Sequence, residues 1–137
     1  MINDVWDINN ESEVKMYITQ KSNSFISLIN ELIKEQCDFI GCEYTIHRYD
    51  DKARIVYGGG RVDMMFASDN FLIPVEIKYR ANYDSLHQLE KYMSLLEKLY
   101  SNKPFGVLVS KTATKDLIDR VKKEKNIALC VLTEGVY

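Results

Sequence analysis

Residues 61–80 read RVDMMFASDNFLIPVEIKYR, two apolar runs joined by Ser-Asp-Asn. Asp69-Asn70 is a good chemical choice for a two-residue hairpin loop, because both side chains tolerate positive φ. With that loop, Ser68 pairs with Phe71, and Phe66–Ile73, Met64–Val75 and Val62–Ile77 become apolar cross-strand pairs. Asp63 then falls directly opposite Glu76. A four-residue loop keeps this register, whereas an odd-length loop sends the two carboxylates to opposite faces. Counting from a hydrogen-bonded closing pair, Asp63 and Glu76 occupy a non-hydrogen-bonded pair with Cα atoms about 4.5 Å apart. Pro74 also falls at a non-bonded position toward this partner. Its missing N–H would point at the other neighbour, so that side is expected to be unpaired locally or to be an edge.

Like charges directly opposite on a sheet cost stability. Lys78, two residues past Glu76 on the same face, could offset the repulsion, and a divalent cation between the carboxylates would offset more. Hard oxygen ligands favour Mg²⁺ or Mn²⁺ over zinc. The bland alternative stays open from these residues alone: Asp63, Glu76, Lys78 and Arg80 would line a solvated sheet face.

Upstream, NNESEVKMYITQ (residues 9–20) offers Asn10 as an N-cap with Glu13 three residues on, the pattern of a short capped helix. In SNSFISLINELIKEQCDFIG (residues 22–41), Ser24 is the expected cap. Phe25, Leu28, Ile29, Leu32, Ile33 and Cys37 share one helical face, and Gly41 is the expected stop. Residues 43–49 alternate as a strand, Asp50-Asp51 suggests a turn, residues 53–57 a second strand, and Gly58-Gly59-Gly60 a break. Strands are expected over 61–67 and 71–79, and a helix over 83–100 with Leu86, Leu89, Met93, Leu96 and Tyr100 on one face. PFGVLVS (104–110) reads as a buried central strand, 114–124 as a helix capped by Thr114, and IALCVL (127–132) as a last buried strand. This order predicts an α/β fold: a single mixed β-sheet, a β-meander followed by a βαβ unit, flanked by helices on both faces.

The chain's 137 residues suit one domain with a real core, and 46% hydrophobic and 28% charged residues are ordinary for a globular protein. The net charge of −2 does not itself point to nucleic acid, although the halves differ. Residues 1–60 carry 6 Lys/Arg against 10 Asp/Glu, and residues 61–137 carry 12 against 10. The three cysteines, Cys37, Cys42 and Cys130, have no framework spacing and read as reduced thiols. Cys37, Cys42 and His47 lack the spacing and the fourth ligand of a zinc site. No stretch has the length of a membrane span, and the N-terminus has no signal pattern, so a cytoplasmic location and no membrane partner are expected.

The chain resembles the PD-(D/E)XK, or restriction-endonuclease-like, nuclease superfamily. The resemblance rests on Asp63 on one strand, Glu76-Ile77-Lys78 on the next, Gln88-Leu89-Glu90-Lys91-Tyr92 on the following helix, and then the apolar strand FGVLVS. It covers residues 24–132, leaving 1–22 as an N-terminal extension helix of a single nuclease-like domain, 1–137. The chain departs from the pattern at Arg61-Val62, where the family often has proline, with Gly60 three residues before Asp63.

The resemblance implies hydrolysis of DNA phosphodiesters. Asp63 and Glu76 would hold Mg²⁺ (or Mn²⁺), with the Ile77 carbonyl as an extra ligand. Lys78 would position the attacking water and stabilise charge on the phosphate. Gln88 would contact the site or the substrate, and a first-helix glutamate, Glu31 or Glu35, would complete it. Arg61, Arg80, Lys111 and Lys115 are candidate phosphate contacts, which fix position but carry no sequence information. Structure-selective or nonspecific cleavage is therefore expected, with a homodimer acting on two strands as one arrangement. Two other readings stay open: a noncatalytic nucleic-acid-binding or scaffolding member of the fold, and an unrelated α/β interaction module.

Overall fold

The computed structural model describes residues 1–49, 52, 55–56 and 60–137. A 3-10 turn, Val5–Asp7, leads into α1 (Glu11–Gln20) and α2 (Ser22–Ile33). The strands β1 (Asp38–Thr45), β2 (Arg48–Tyr49), β3 (Ile55–Val56), β4 (Arg61–Ala67) and β5 (Phe71–Ala81) follow. Then come α3 (Tyr83–Leu99), β6 (Lys103–Pro104), β7 (Gly106–Ala113), α4 (Lys115–Val121), β8 (Ile127–Val131) and β9 (Gly135–Val136). The described residues form one seven-stranded sheet in the order β1-β4-β5-β7-β8-β9, with β6 beside β5; β2 and β3 pair separately. The β1–β4–β5 part is antiparallel and β5–β7–β8 is parallel, the expected meander followed by βαβ units.

Alternation on the central strands separates the layers. Val107 and Val109 of β7 pack with Ile73, Val75 and Ile77 of β5 beneath Val14 and Ile18 of α1 and Phe25 and Ile29 of α2. Leu108, between them, packs on the other face with Leu86, Leu89 and Met93 of α3 and Leu117 of α4. Residues expected to form an extension ahead of the core thus supply four core side chains, Ile2, Ile8, Val14 and Ile18.

The hairpin has the expected register. The Ser68 N–H donates to the Phe71 carbonyl at 2.9 Å, and Phe66 faces Ile73 and Met64 faces Val75. Pro74 sits at a break on its other side: β6 pairs with Phe71 and Leu72, and β7 begins its ladder at Val75. A residue without an N–H is accommodated where no neighbour asks for one.

Elsewhere the boundaries move. Asn10 caps α1 through Glu13 N–H as expected, but α2 starts at Ser22, with Lys21 rather than Ser24 at the cap position. It ends at Ile33, where Lys34 turns left-handed (φ 60°), and Gly41 lies inside β1. The apolar period through Cys37 misled because Cys37 is buried from the loop, its N–H held by Asn30 Oδ1 at 2.8 Å. The strand expected over 43–49 accordingly begins earlier, at Asp38. β9, which pairs antiparallel with β8, was not expected. The turn at Asp50-Asp51, the ends of the strand expected over 53–57, and Gly58-Gly59 lie outside the described residues.

Candidate active site

β4 and β5 part company at one end. Their ladder stops at Met64–Val75, so the expected Val62–Ile77 and Asp63–Glu76 pairs are not part of it. Asp63 Oδ2 instead accepts the Ile77 N–H at 2.7 Å, a side chain taking the place of a backbone partner. Strict alternation fails at the same point. Val62 and Met65, three residues apart, share a cluster with Tyr92 and Leu96, while Met64 and Phe66 pack on the α1–α2 side.

Glu76 lies between Val75 and Ile77 and is 4% exposed. Its Oε1 is 3.5 Å from Lys78 Nζ. Its Oε2 is buried with no donor among the described residues, and in its protonated form the Glu76 carboxyl shares a hydrogen bond with Asp63. Burial, and next the charge of Asp63, push the Glu76 carboxyl up to about 7, against the opposing pull of Lys78. The two carboxylates therefore interact although they are not ladder partners.

The other face of Asp63 belongs to α1. Lys15 Nζ is 3.0 Å from Asp63 Oδ1, 3.5 Å from Glu43 Oε1 and 3.9 Å from Glu11 Oε2. Glu11 Oε1 also lies 3.9 Å from Lys78 Nζ. Burial works against the charge on Lys15, but Asp63, Glu43 and Glu11 outweigh it and raise its pKa. Arg61 pairs with Glu43 at 3.3 Å, and Arg61 first, then Lys15, hold the Glu43 carboxyl below its ordinary range. Sequence reasoning did not single out Glu11, Lys15 or Glu43. The Glu11–Lys15 spacing was visible, but it is that of an ordinary surface pair on a helix.

Gln88 Nε2 donates to the Tyr92 hydroxyl at 2.7 Å. Burial first, with Glu76 and Asp63 adding to it, raises the Tyr92 pKa, so the Gln88–Tyr92 pair borders the carboxylates. Gly60 completes that wall. It has φ +108°, and a Cβ there would stand 2.5 Å from the Tyr92 ring.

The first-helix glutamates go elsewhere. Glu31 is exposed, and no hydrogen bond or ion pair among the described residues joins it to Asp63, Glu76 or Lys78; it lines a shallow depression with Asn23, Ser24, Ser27 and Leu28. Glu35 accepts from Ser68 Oγ and from Asn70 N–H and Nδ2, at the hairpin's turn, away from the carboxylates. The acid that a helix does bring near the site is Glu11, from α1, which stands 3.9 Å from both Lys15 and Lys78. Among the candidate phosphate contacts, Arg61, Arg80 and Lys115 are exposed. Lys111 is the correction. It is 9% exposed, and its Nζ donates to the carbonyls of Ile8 (2.7 Å) and Trp6 (3.4 Å), a structural anchor rather than a free cation.

Among the described residues no group of three or more His, Cys, Asp or Glu side chains forms a metal-binding cluster. A cation here would rest on Asp63 and Glu76. A buried carboxylate oxygen without a donor among the described residues, beside a second carboxylate, fits a hard divalent ion that keeps part of its water shell, as Mg²⁺ does. No helix among the described residues is long and apolar enough to cross a membrane.

Residues 26–134 match the family model described as Endonuclease NucS C-terminal domain. Among solved structures the chain is similar to one titled "crystal structure of a repair endonuclease from Pyrococcus abyssi", with a TM-score of 0.55 and 24% identity over 81% of this chain. At that identity the likeness concerns the fold, and it spans 46% of the neighbour's length. No curated protein matches the chain.

Proposed function

Because the chain belongs to the Endonuclease NucS C-terminal domain family, we propose that it is a DNA endonuclease whose cleavage depends on Mg²⁺ or Mn²⁺. Asp63 with Glu76-Ile77-Lys78 is read as a PD-(D/E)XK site. The observation that carries the reading is Glu76, a buried carboxyl with no donor to one oxygen among the described residues, set beside Asp63 and Lys78. A purely structural core rarely keeps such a group, since burying an unpaired polar atom costs about 1–3 kcal/mol.

Asp63 and Glu76 would hold the cation, with the Ile77 carbonyl as a third protein ligand. When bound, the ion supplies Lewis-acid polarisation of the scissile phosphate and lowers the pKa of a coordinated water. The chain's own residues do the rest. Asp63, through its bond to Ile77 N–H, fixes the position of the Glu76-Ile77-Lys78 backbone. Lys78 presents a compact cation beside Glu76, where it can orient the attacking water and stabilise charge developing on the phosphate oxygens. Gln88, oriented by Tyr92, borders the site as a candidate substrate contact. Arg61, Arg80 and Lys115 present exposed cations for the DNA backbone, a kind of contact that positions without reading bases. This supports structure-selective or nonspecific cleavage.

The test is incubation with linear, nicked, single-stranded and four-way-junction DNA in Mg²⁺, Mn²⁺ or EDTA. Cleavage in metal and none in EDTA is expected, with binding that weakens steeply as salt rises. DNA binding without cleavage in any metal would replace the enzyme by a noncatalytic binding member of the fold. No binding at low salt would favour a protein-interaction module.

A further inference from the structure

We propose that Lys15 is a positioning residue that serves as an internal counter-cation, holding Asp63 in place of a divalent ion and yielding to one. The inference rests on the metal-site reading of Asp63 and Glu76.

The two carboxylates repel each other, and the fold offsets each with its own lysine. Lys78 lies 3.5 Å from Glu76, and Lys15 lies 3.0 Å from Asp63. Both Asp63 oxygens are engaged, Oδ1 by Lys15 and Oδ2 by the Ile77 N–H. A divalent ion that binds through Oδ1 therefore competes with the Lys15 ammonium for the same lone pairs.

Lys15 is delivered by a fixed element. Val14 is fully buried and Ile18 is 4% exposed, Asn10 caps the helix start, and Lys111 pins the segment just ahead through the Ile8 carbonyl. The ammonium also has somewhere to go. Glu43 at 3.5 Å and Glu11 at 3.9 Å stand on its outer side, so it can leave Asp63 without becoming an unpaired charge. Lys15 thus offsets the Asp63 charge within the fold and would weaken the binding of a cation at the same oxygen.

The test is calorimetric titration of the full chain with MnCl₂, with thermal melts in EDTA and in Mn²⁺, for wild type, Lys15→Gln, Lys15→Arg and Arg61→Gln. Removing a cation about 3 Å from a ligand oxygen should tighten Mn²⁺ binding roughly ten- to hundredfold in Lys15→Gln. Lys15→Arg keeps the charge and should stay near wild type. Arg61→Gln removes a nearby charge that does not touch Asp63 and should change affinity less than threefold or so. In melts, Lys15→Gln should be less stable than wild type in EDTA and gain more from Mn²⁺. Lys15→Met, which keeps the apolar stem, gives the same comparison if Lys15→Gln does not fold. Wild type that binds Mn²⁺ with an affinity Lys15→Gln leaves unchanged or weakens would overturn the role of Lys15 and leave the metal site standing. No binding by any of the proteins would overturn both.

Discussion

The two ends of the β4–β5 hairpin hold a glutamate each, and the two are treated in opposite ways. At the turn, Glu35 reaches across from the segment after α2 to accept from Ser68 and twice from Asn70, and these donors pull its pKa down. The surrounding groups are also paired: Ser68 Oγ accepts the Phe71 N–H at 3.0 Å, and Asn102 Nδ2 donates to the Ser68 and Asp69 carbonyls at 3.2 Å. At the open end the ladder has been given up, Glu76 is buried beside another carboxylate, one oxygen has no donor among the described residues, and its pKa is driven up to about 7. A carboxylate that caps a turn is stabilised as an anion. A carboxylate destabilised as an anion is the kind of group on which the proposed cation site is built.

The sharpest way to break this contrast is to remove the open-end carboxylates. Asp63→Ala and Glu76→Ala should each abolish metal-dependent cleavage, a loss of at least about a thousandfold, while circular dichroism shows the fold retained. Full activity in either variant would sink the site. Lys78 comes next. Lys78→Ala should cost turnover roughly a hundredfold or more and leave Mn²⁺ affinity unchanged or tighter, because a cation is not a ligand to a cation. Lys78→Arg should not restore the rate fully, since a planar fork cannot replace a point charge. Paired single-turnover and calorimetric measurements on these proteins separate the two roles.

The pH dependence sharpens the comparison further. The Glu76 carboxyl binds its proton more tightly folded, at about 7, than at its ordinary value of 4.5. The stability this confers is full below the ordinary value and is lost as pH rises through about 7, an effect on the order of 3 kcal/mol without metal. Urea unfolding in EDTA should show the loss, Glu76→Gln should flatten it, and Mn²⁺ should restore stability at the alkaline end. The smallest effect belongs to the other glutamate. Glu35→Gln should lower the thermal midpoint modestly and leave cleavage unchanged; a loss of turnover there would make the turn end part of the site after all.

The hairpin was legible because its signals are local. Asp-Asn chemistry, period-two alternation and the position of Pro74 all specify one register, and Met64–Val75, Phe66–Ile73 and the gap beside Pro74 follow it. The α3 pair of Gln88 and Tyr92 was legible for the same reason, being one helical turn apart. The splay past Met64 was not. It depends on Asp63 bonding Ile77 N–H instead of leaving that donor to Val62, a choice between two partners of similar strength that no local pattern encodes.

The sequence by itself therefore determined the order of elements, the mixed sheet, the hairpin register and the nearness of Asp63, Glu76 and Lys78, because each follows from contacts within a few residues or across one tight turn. Only the tertiary structure decided which acidic residue a helix delivers. Glu31 and Glu35 lie at the expected distance along the chain, but one faces solvent and the other caps a turn, while Glu11 and Lys15 arrive from a helix about fifty residues before Asp63. That placement is set by where Val14 and Ile18 bury their side chains against β5 and β7, and burial against a distant surface leaves no trace in the spacing of charged residues along the helix itself.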